Sequence, residues 1–193
     1  MSGLLRAADS LLLIIDVQER LAPHVYDHER VIERCKWLLG VAQEVGVPVL
    51  LSEHYPEGIG HTVDELRRFA PAESIMRKDH FSCVSESACM DRIGATSRNQ
   101  VVIGGMEAHV CVMQTAIDLQ ESGRDVYLVA DAVSSREPEN ASRAIDRMQR
   151  NGVQIVTREM VLFEWAHRGG TDQFRQLHRK FLKAPSSDGS VQQ

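Results

Sequence analysis

A thiol, a carboxylate and an ammonium each follow a short apolar segment in this 193-residue chain, and together they could support nucleophilic chemistry. Cys111 lies in the stretch 101–116, where a run rich in β-branched residues ends at two glycines and a helical pattern begins. This pattern places the thiol near the amino-terminal end of a helix, where the helix dipole and free N–H groups favour the reactive thiolate. A free cysteine is more often a small buried apolar residue, so Cys111 alone does not define a site.

The carboxylate and the ammonium have equally plain alternatives when each is taken alone. Asp16 ends the apolar run Leu11–Ile15, and Lys78 follows the short segment that contains Ile75 and Met76. An aspartate after a strand is usually a turn former or a helix cap. In an open parallel sheet, however, the carboxyl ends of the strands share one edge, and ligands bind there. Taken with Cys111, the two residues predict a catalytic site at that edge.

Short apolar segments alternate with helical patterns along the chain. Strands are predicted at 11–15, 47–51, 74–77, 101–103, 126–130 and 153–156. Helical spacing is found at 31–42, 113–120, 141–148, 161–167 and 174–181. This alternation predicts a three-layer α/β/α fold with a six-stranded, mainly parallel, Rossmann-like sheet. We expect a single domain over residues 1–183 and a mobile tail at 184–193, where Pro, Ser, Gly and Gln dominate.

Composition excludes several classes of protein. The net charge is −5 and no concentrated Lys/Arg face is visible, which argues against a nucleic-acid partner. The longest apolar run is too short to cross a membrane, and the N-terminus lacks the pattern of a secretory signal. The four cysteines show no Cys-x-x-Cys spacing, so neither a disulfide framework nor a zinc–thiolate site is expected. These features predict a cytoplasmic protein.

Three motifs resemble the isochorismatase-like cysteine hydrolases. They are the strand-Asp-x-Gln start at 11–18, the Lys-Asp-His-Phe-Ser segment at 78–82, and the turn Gly-x-Glu-Ala-x-x-Cys-Val-x-x-Thr-Ala at 105–116. The resemblance runs from about Leu11 to Leu182. Residues 52–60 and 131–136 further resemble the subgroup that contains isochorismatase-domain-containing protein 2 and its bacterial relatives.

The resemblance implies a role for each of the three residues. Cys111 would be the nucleophile, Asp16 the general base, and Lys78 the third member of the triad. It also implies a cis peptide at Met106–Glu107, with the backbone N–H groups of Glu107 and Cys111 forming the oxyanion hole. The expected reaction is hydrolysis of a small carbonyl substrate, with an amide C–N bond as the favoured bond to be cleaved, through a thioester intermediate.

The histidines raise the question of a metal. Nicotinamidases of the same superfamily bind a metal through Asp-x-His and further histidines, whereas residues 52–54 here read Ser-Glu-His. His54, His61 and His80 remain, but their irregular spacing forms no ligand motif. We therefore expect no metal and no cofactor.

Other residues near the predicted edge could contact a small-molecule substrate. Gln18, His54, Tyr55 and Phe81 are candidates, and each could equally serve packing or turn structure. Arg136 could bind a substrate carboxylate or pair with Asp131.

Three alternatives stay open at this point: an isochorismatase-type enol-ether hydrolase, a non-catalytic interaction protein that retains the fold, and a thiol redox sensor. The redox alternative requires a thiol close to Cys111, and the sequence does not place Cys83 or Cys89 there. The resemblance also implies association, and apolar surface near the C-terminus supports it. We expect a homo-oligomer, a dimer or a tetramer, built in part on Phe163, Trp165, Phe174 and Phe181.

Overall fold

The computed structural model describes residues 3–183 and contains a six-stranded sheet in which every neighbouring pair is parallel. The spatial order of the strands is β3-β2-β1-β4-β5-β6. The strands are β1 Ser10–Ile15, β2 Val49–His54, β3 Ile75–Lys78, β4 Gln100–Gly105, β5 Asp125–Val133 and β6 Gln154–Val156. The predicted α/β fold with a six-stranded parallel sheet is confirmed.

Within the described range, eight α-helices connect and cover the strands. They are α1 His28–Val45, α2 Pro56–Ile59, α3 Asp64–Arg67, α4 Ser87–Ala95, α5 Met113–Glu121, α6 Pro138–Arg150, α7 Arg158–Ala166 and α8 Asp172–Leu177. A π-helical turn, Ala108–Val112, leads into α5. None of these helices is long and apolar enough to cross a membrane. The tail predicted at 184–193 lies outside the described residues.

Two apolar cores lie on opposite faces of the sheet, because successive side chains of a strand point to opposite sides. On β1, Leu12 and Ile14 pack with α1 and α7, whereas Leu11 and Leu13 pack on the other face with α4, α5 and α6. All six residues of β1 are buried, as expected for a central strand covered by helices on both faces.

Strands β2 and β5 extend beyond their predicted ends. β2 includes the buried polar residues Ser52 and Glu53, which an apolar pattern does not mark as strand. Backbone pairing with β1 and β3 defines this end, where Ser52 is in register with Ile15 and His54 with Lys78. The strand thus carries polar groups into the edge that holds the predicted site.

The strand order reverses at β1 and β4, which are neighbours although two strands separate them in the chain. Ligands of open α/β sheets bind at the carboxyl ends of the strands beside such a reversal. Gly105 ends β4 with φ of 124°, and a Cβ there would lie 2.1 Å from the Ile15 carbonyl oxygen. Only glycine allows this approach, which places the turn after β4 directly beside Asp16.

The C-terminal aromatic residues mostly pack within the domain's own core. Trp165 is buried, Phe181 packs edge-on against Trp37, and Phe174 is partly buried. Phe163 alone among the four predicted interface aromatics has a largely exposed side chain, at 49%. The sequence could not separate these cases, because aromatic spacing on a helix does not show which neighbour covers each ring.

Candidate active site

Asp16 and Lys78 form an ion pair in which both side chains are fully buried. The Lys78 Nζ lies 2.6 Å from Asp16 Oδ2, and the Lys78 ammonium also donates to the His80 carbonyl oxygen at 3.3 Å. Burial lowers the pKa of the Lys78 ammonium, but the negative charge of Asp16 and the hydrogen bond to it raise the pKa by more than burial lowers it, so the net shift is upward. The ammonium therefore stays charged at neutral pH.

The second carboxylate oxygen of Asp16 is also held. Ser52 Oγ donates a hydrogen bond of 2.6 Å to Asp16 Oδ1. Asp16 has a left-handed backbone with φ of 50°, which is uncommon for a residue other than glycine. This turn directs the chain away from β1, and the carboxylate remains buried below it.

The thiol of Cys111 meets the ion pair. Cys111 lies in the π-helical turn before α5, is 5% exposed, and is close enough to Asp16 and Lys78 for both side chains to shift its pKa. The structure therefore brings together the three side chains that the sequence places after separate strands.

The surroundings of Cys111 favour the protonated thiol over the thiolate, in contrast to the expectation from the sequence. Burial raises the pKa of the Cys111 thiol above its ordinary value, the Asp16 charge raises it further, and the Lys78 charge opposes both. The expectation of a stabilised thiolate at Cys111 is therefore wrong. Sequence patterns indicated the helix end and the ammonium, but burial arises only when the chain folds.

The turn between β4 and Cys111 carries the predicted cis peptide. The bond between Met106 and Glu107 is cis, and the Met106 N–H donates to the Ile15 carbonyl oxygen at 2.8 Å. Within residues 3–183, the Glu107 N–H has no backbone acceptor. The Glu107 side chain is buried and forms an ion pair of 2.9 Å with Arg136, whose side chain is 61% exposed.

Arg136 does not pair with Asp131, one of the two options left open from the sequence. Asp131 instead contacts Arg34 and Arg158 on the other side of the sheet. The guanidinium of Arg136 therefore belongs to the rim formed by Glu107 and the turn that precedes Cys111.

Four residues were predicted to contact substrate, and they differ in position. Gln18 is fully buried, and its amide bonds the His54 N–H, the His54 carbonyl and the Gly60 carbonyl at 2.8, 3.0 and 2.6 Å. These bonds hold the chain after β2 in place. The rings of His54 and Phe81 lie 5.3 Å apart, and Tyr55 and Phe81 are about half exposed beside the ends of β2 and β3.

The three histidines considered as metal ligands do not converge. His61 Nδ1 lies 3.0 Å from buried Glu53, and His80 Nδ1 lies 2.7 Å from Glu86. Across residues 3–183, no group of three or more His, Cys, Asp or Glu side chains is arranged to hold a metal ion.

Cys83 and Cys89 interact with each other beneath the site. Both are buried, and the Cys89 thiol donates to the Arg77 carbonyl oxygen at 3.6 Å. The interaction with Cys89 and burial both raise the pKa of Cys83. The pKa of Cys83 responds to the charges of Asp16 and Lys78, so this thiol lies near the ion pair. The thiol that interacts with Cys83 is therefore Cys89, whereas the redox alternative requires a thiol close to Cys111.

Sequence reasoning missed two residues that shape the site. Ser52 holds Asp16, and Glu86 accepts hydrogen bonds from the backbone N–H groups of Asp79 and His80, the segment that follows Lys78. Ser52 was noted only as a departure from a metal motif. A polar residue inside a strand, in register with the residue before Asp16, is the signal that could have indicated its role.

The fold and site together define an α/β protein with a buried Asp–Lys pair and a cysteine at the carboxyl edge of a parallel sheet. The profile of the Isochorismatase domain matches residues 10–160. Isochorismatase domain-containing protein 2 of Danio rerio is 35% identical over 188 residues, which cover 96% of this chain and 93% of the relative. The chain belongs to the isochorismatase family.

Solved structures show the same fold. The MAR1 ribonuclease of Caenorhabditis elegans superimposes with a TM-score of 0.87 at 29% identity, covering 99% of this chain and 98% of that one. The ycaC gene product of Escherichia coli, an octameric hydrolase of unknown specificity, gives a TM-score of 0.87 at 24% identity, covering 94% and 92% of the two chains.

Proposed function

We propose that the protein is a cysteine hydrolase that cleaves a small carbonyl substrate, an amide in preference to other classes, through a thioester. The observation that carries the proposal is the placement of the Cys111 thiol close enough to the buried Asp16–Lys78 pair for both charges to act on it. A thiol that is protonated at rest needs a base at the moment of attack, and Asp16 is the nearby carboxylate that can accept its proton.

In the first half of the reaction, Sγ of Cys111 attacks the carbonyl carbon while its proton passes to Asp16. The backbone N–H groups of Glu107 and Cys111 stabilise the oxyanion. The C–N bond then breaks, the amine leaves with the proton from Asp16, and a thioester remains. Water then attacks the thioester and gives a proton to Asp16. The C–S bond breaks, the carboxylic acid leaves, and the Cys111 thiolate takes up the proton that Asp16 received from water.

Lys78 holds the carboxylate in position and limits the cost of forming a thiolate beside it. The aromatic rings of His54 and Phe81 would supply an apolar wall for the substrate, with Tyr55 beside them. Gln18 would act through the chain after β2 instead of touching substrate, since its amide bonds backbone groups. No step requires a metal or a cofactor.

The test is a panel of small amides and esters assayed with the wild-type protein and Cys111→Ala. We expect the wild type to release amine or alcohol and Cys111→Ala to release none. Cys35 is a fully buried thiol on the other face of the sheet, so Cys35→Ala serves as the control and should retain the activity. Intact-mass measurement after rapid quenching should show an acyl adduct on Cys111. Turnover that survives Cys111→Ala would overturn the covalent mechanism.

Two further substrate classes belong in the panel. An enol ether tests the isochorismatase reaction, which needs no cysteine nucleophile, and an RNA oligonucleotide tests the activity named for the nematode relative. The net charge of −5 disfavours RNA as a substrate. If Cys111→Ala cleaves the enol ether or the RNA, and no amide or ester is turned over, the proposed function is wrong and the observed reaction takes its place. Binding without any turnover would favour a non-catalytic interaction protein.

We further propose a cytoplasmic homo-oligomer, a dimer or a tetramer, composed of single-domain subunits. The four free cysteines suit a reducing compartment. Exposed Met160 and Phe163 on α7 supply apolar surface for a neighbouring copy, and the E. coli structure is an octamer. Sedimentation at micromolar concentration should give a mass of two or more subunits, and Phe163→Glu should lower it. A monomer at all concentrations would contradict the proposal.

A further inference from the structure

Ser52 contacts Asp16 twice. The Asp16 N–H donates to the Ser52 carbonyl oxygen at 3.2 Å, and Ser52 Oγ donates to Asp16 Oδ1 at 2.6 Å. Ser52 is 1% exposed and lies on β2, in register with Ile15 on β1. Its position is therefore defined by the sheet and not by a loop.

The direction of this hydrogen bond follows from the ion pair. Asp16 forms an ion pair with the Lys78 ammonium, and a carboxylate in such a pair only accepts hydrogen bonds. The Ser52 hydroxyl must therefore donate. One carboxylate oxygen is held from β2 and the other from Lys78 at the end of β3, so rotation of the carboxylate would break both contacts.

A second buried strand serine shows that a strand hydroxyl can be satisfied without a charged partner. Ser10, at the opposite end of β1, donates to the backbone carbonyl of Arg6 at 2.8 Å and accepts from Trp165. Ser52, by contrast, directs its hydroxyl to a charged group of the proposed machinery. A hydrogen bond to the ionised form of a carboxylate favours that form over the protonated one.

We propose that Ser52 is a positioning residue that holds the Asp16 carboxylate and sets the pH at which it takes up a proton. The catalytic meaning of this inference rests on the proposed function, in which Asp16 is the base. Lys78 and the thiols of Cys111 and Cys83 also interact with Asp16, and all three are retained in Ser52→Ala. Loss of the hydroxyl therefore removes one interaction that favours the ionised carboxylate. The acidic limb of the pH profile of kcat/KM would then move to higher pH in Ser52→Ala.

The direct experiment titrates Asp16 by NMR in protein labelled with ¹³C at the aspartate carboxyl carbons. The Asp16 resonance is identified by its disappearance in Asp16→Asn. We expect the titration midpoint to rise by about one pH unit in Ser52→Ala, a tenfold change in the proton dissociation constant. Ser52→Thr keeps the hydroxyl and should stay near the wild-type midpoint, while Ser10→Ala is the matched control for loss of a buried strand hydroxyl.

Ser52→Cys keeps the size of the side chain with a weaker donor, and provides a second reading if Ser52→Ala unfolds. Its midpoint should fall between those of the wild type and Ser52→Ala. An unchanged midpoint in Ser52→Ala or Ser52→Cys, or an equal rise in Ser10→Ala, would overturn the proposal. The titration needs no substrate, so its result is independent of the substrate panel. If the midpoint rises in Ser52→Ala while turnover survives Cys111→Ala, the role of Ser52 stands and only the covalent mechanism is overturned.

Discussion

The Lys78 ammonium and the Asp16 carboxylate lie 2.6 Å apart with both side chains shielded from solvent. Removal of one partner from such a pair leaves an uncompensated buried charge, which costs about 3–5 kcal/mol. We therefore expect Lys78→Met to lower the free energy of unfolding by about that amount, as measured by urea denaturation.

Two variants control for this interpretation. Asp16→Asn/Lys78→Met removes both charges and should recover much of the lost stability. Lys180→Met, which removes a half-exposed ammonium paired with Glu44, should cost at most about 1 kcal/mol. Equal losses in Lys78→Met and Lys180→Met would contradict the buried ion pair.

A second prediction concerns alkylation of Cys111. Because burial and the Asp16 charge raise the pKa of this thiol, iodoacetamide should label it slowly at pH 7. Asp16→Asn removes the negative charge and leaves the Lys78 ammonium facing the sulfur. The thiol pKa should fall and labelling should speed up by about tenfold or more, since one pKa unit is a tenfold change in equilibrium.

Site-resolved mass spectrometry measures this rate, with Cys35 as the internal reference because burial raises the pKa of Cys35 to about 12 on the other face of the sheet. Lys78→Met should have the opposite effect and slow the labelling of Cys111. Slower labelling in Asp16→Asn would show that the carboxylate does not oppose thiolate formation.

Gly105→Ala tests the close approach of β4 to β1. The added Cβ would lie 2.1 Å from a backbone oxygen that cannot move without distorting β1, and φ is 124°. We expect a loss of about 4 kcal/mol or more, the range of severe single substitutions. In contrast, Gly94→Ala in α4 meets no atom within 4 Å and should preserve or raise the thermal midpoint. A small loss in Gly105→Ala would mean that the turn before Cys111 can shift freely.

The pH dependence of stability should include a contribution from Glu86. Hydrogen bonds from the Asp79 and His80 N–H groups and from the His80 ring lower the pKa of Glu86 from 4.5 to about 2. The folded state therefore binds this proton more weakly than the unfolded state, and the stabilisation is full above pH 4.5 and disappears as the pH falls toward 2.

In Glu86→Gln, the free energy of unfolding should therefore fall less steeply than in the wild type as the pH is lowered from 4.5 to about 2. Urea titrations at several pH values measure this loss. Glu139→Gln, at a side chain 79% exposed, serves as the control and should leave the wild-type slope nearly intact. A wild-type slope retained in Glu86→Gln would show that this carboxylate does not hold the segment after Lys78.

Residue patterns were enough to predict the α/β fold and the edge of the sheet at which chemistry could occur. Apolar runs such as Leu11–Ile15 mark the strands because a strand buried on both faces is continuously apolar. Asp16, Lys78 and Cys111 could be predicted to meet, since each follows a different strand of one parallel sheet and matches a family motif. Apolar spacing over 31–42 likewise predicted a helix, which in the structure spans His28–Val45.

The influence of these groups on one another became visible only in the folded chain. Burial reversed the expected direction of the Cys111 pKa shift, and β2 pairing brought the Ser52 hydroxyl to Asp16. Arg136 pairs with Glu107 because the chain after β5 returns to the turn before α5, where the Ala108 N–H donates to the Ser134 carbonyl oxygen. Desolvation and contacts between distant segments depend on how the whole chain packs, and local residue patterns carry no record of them.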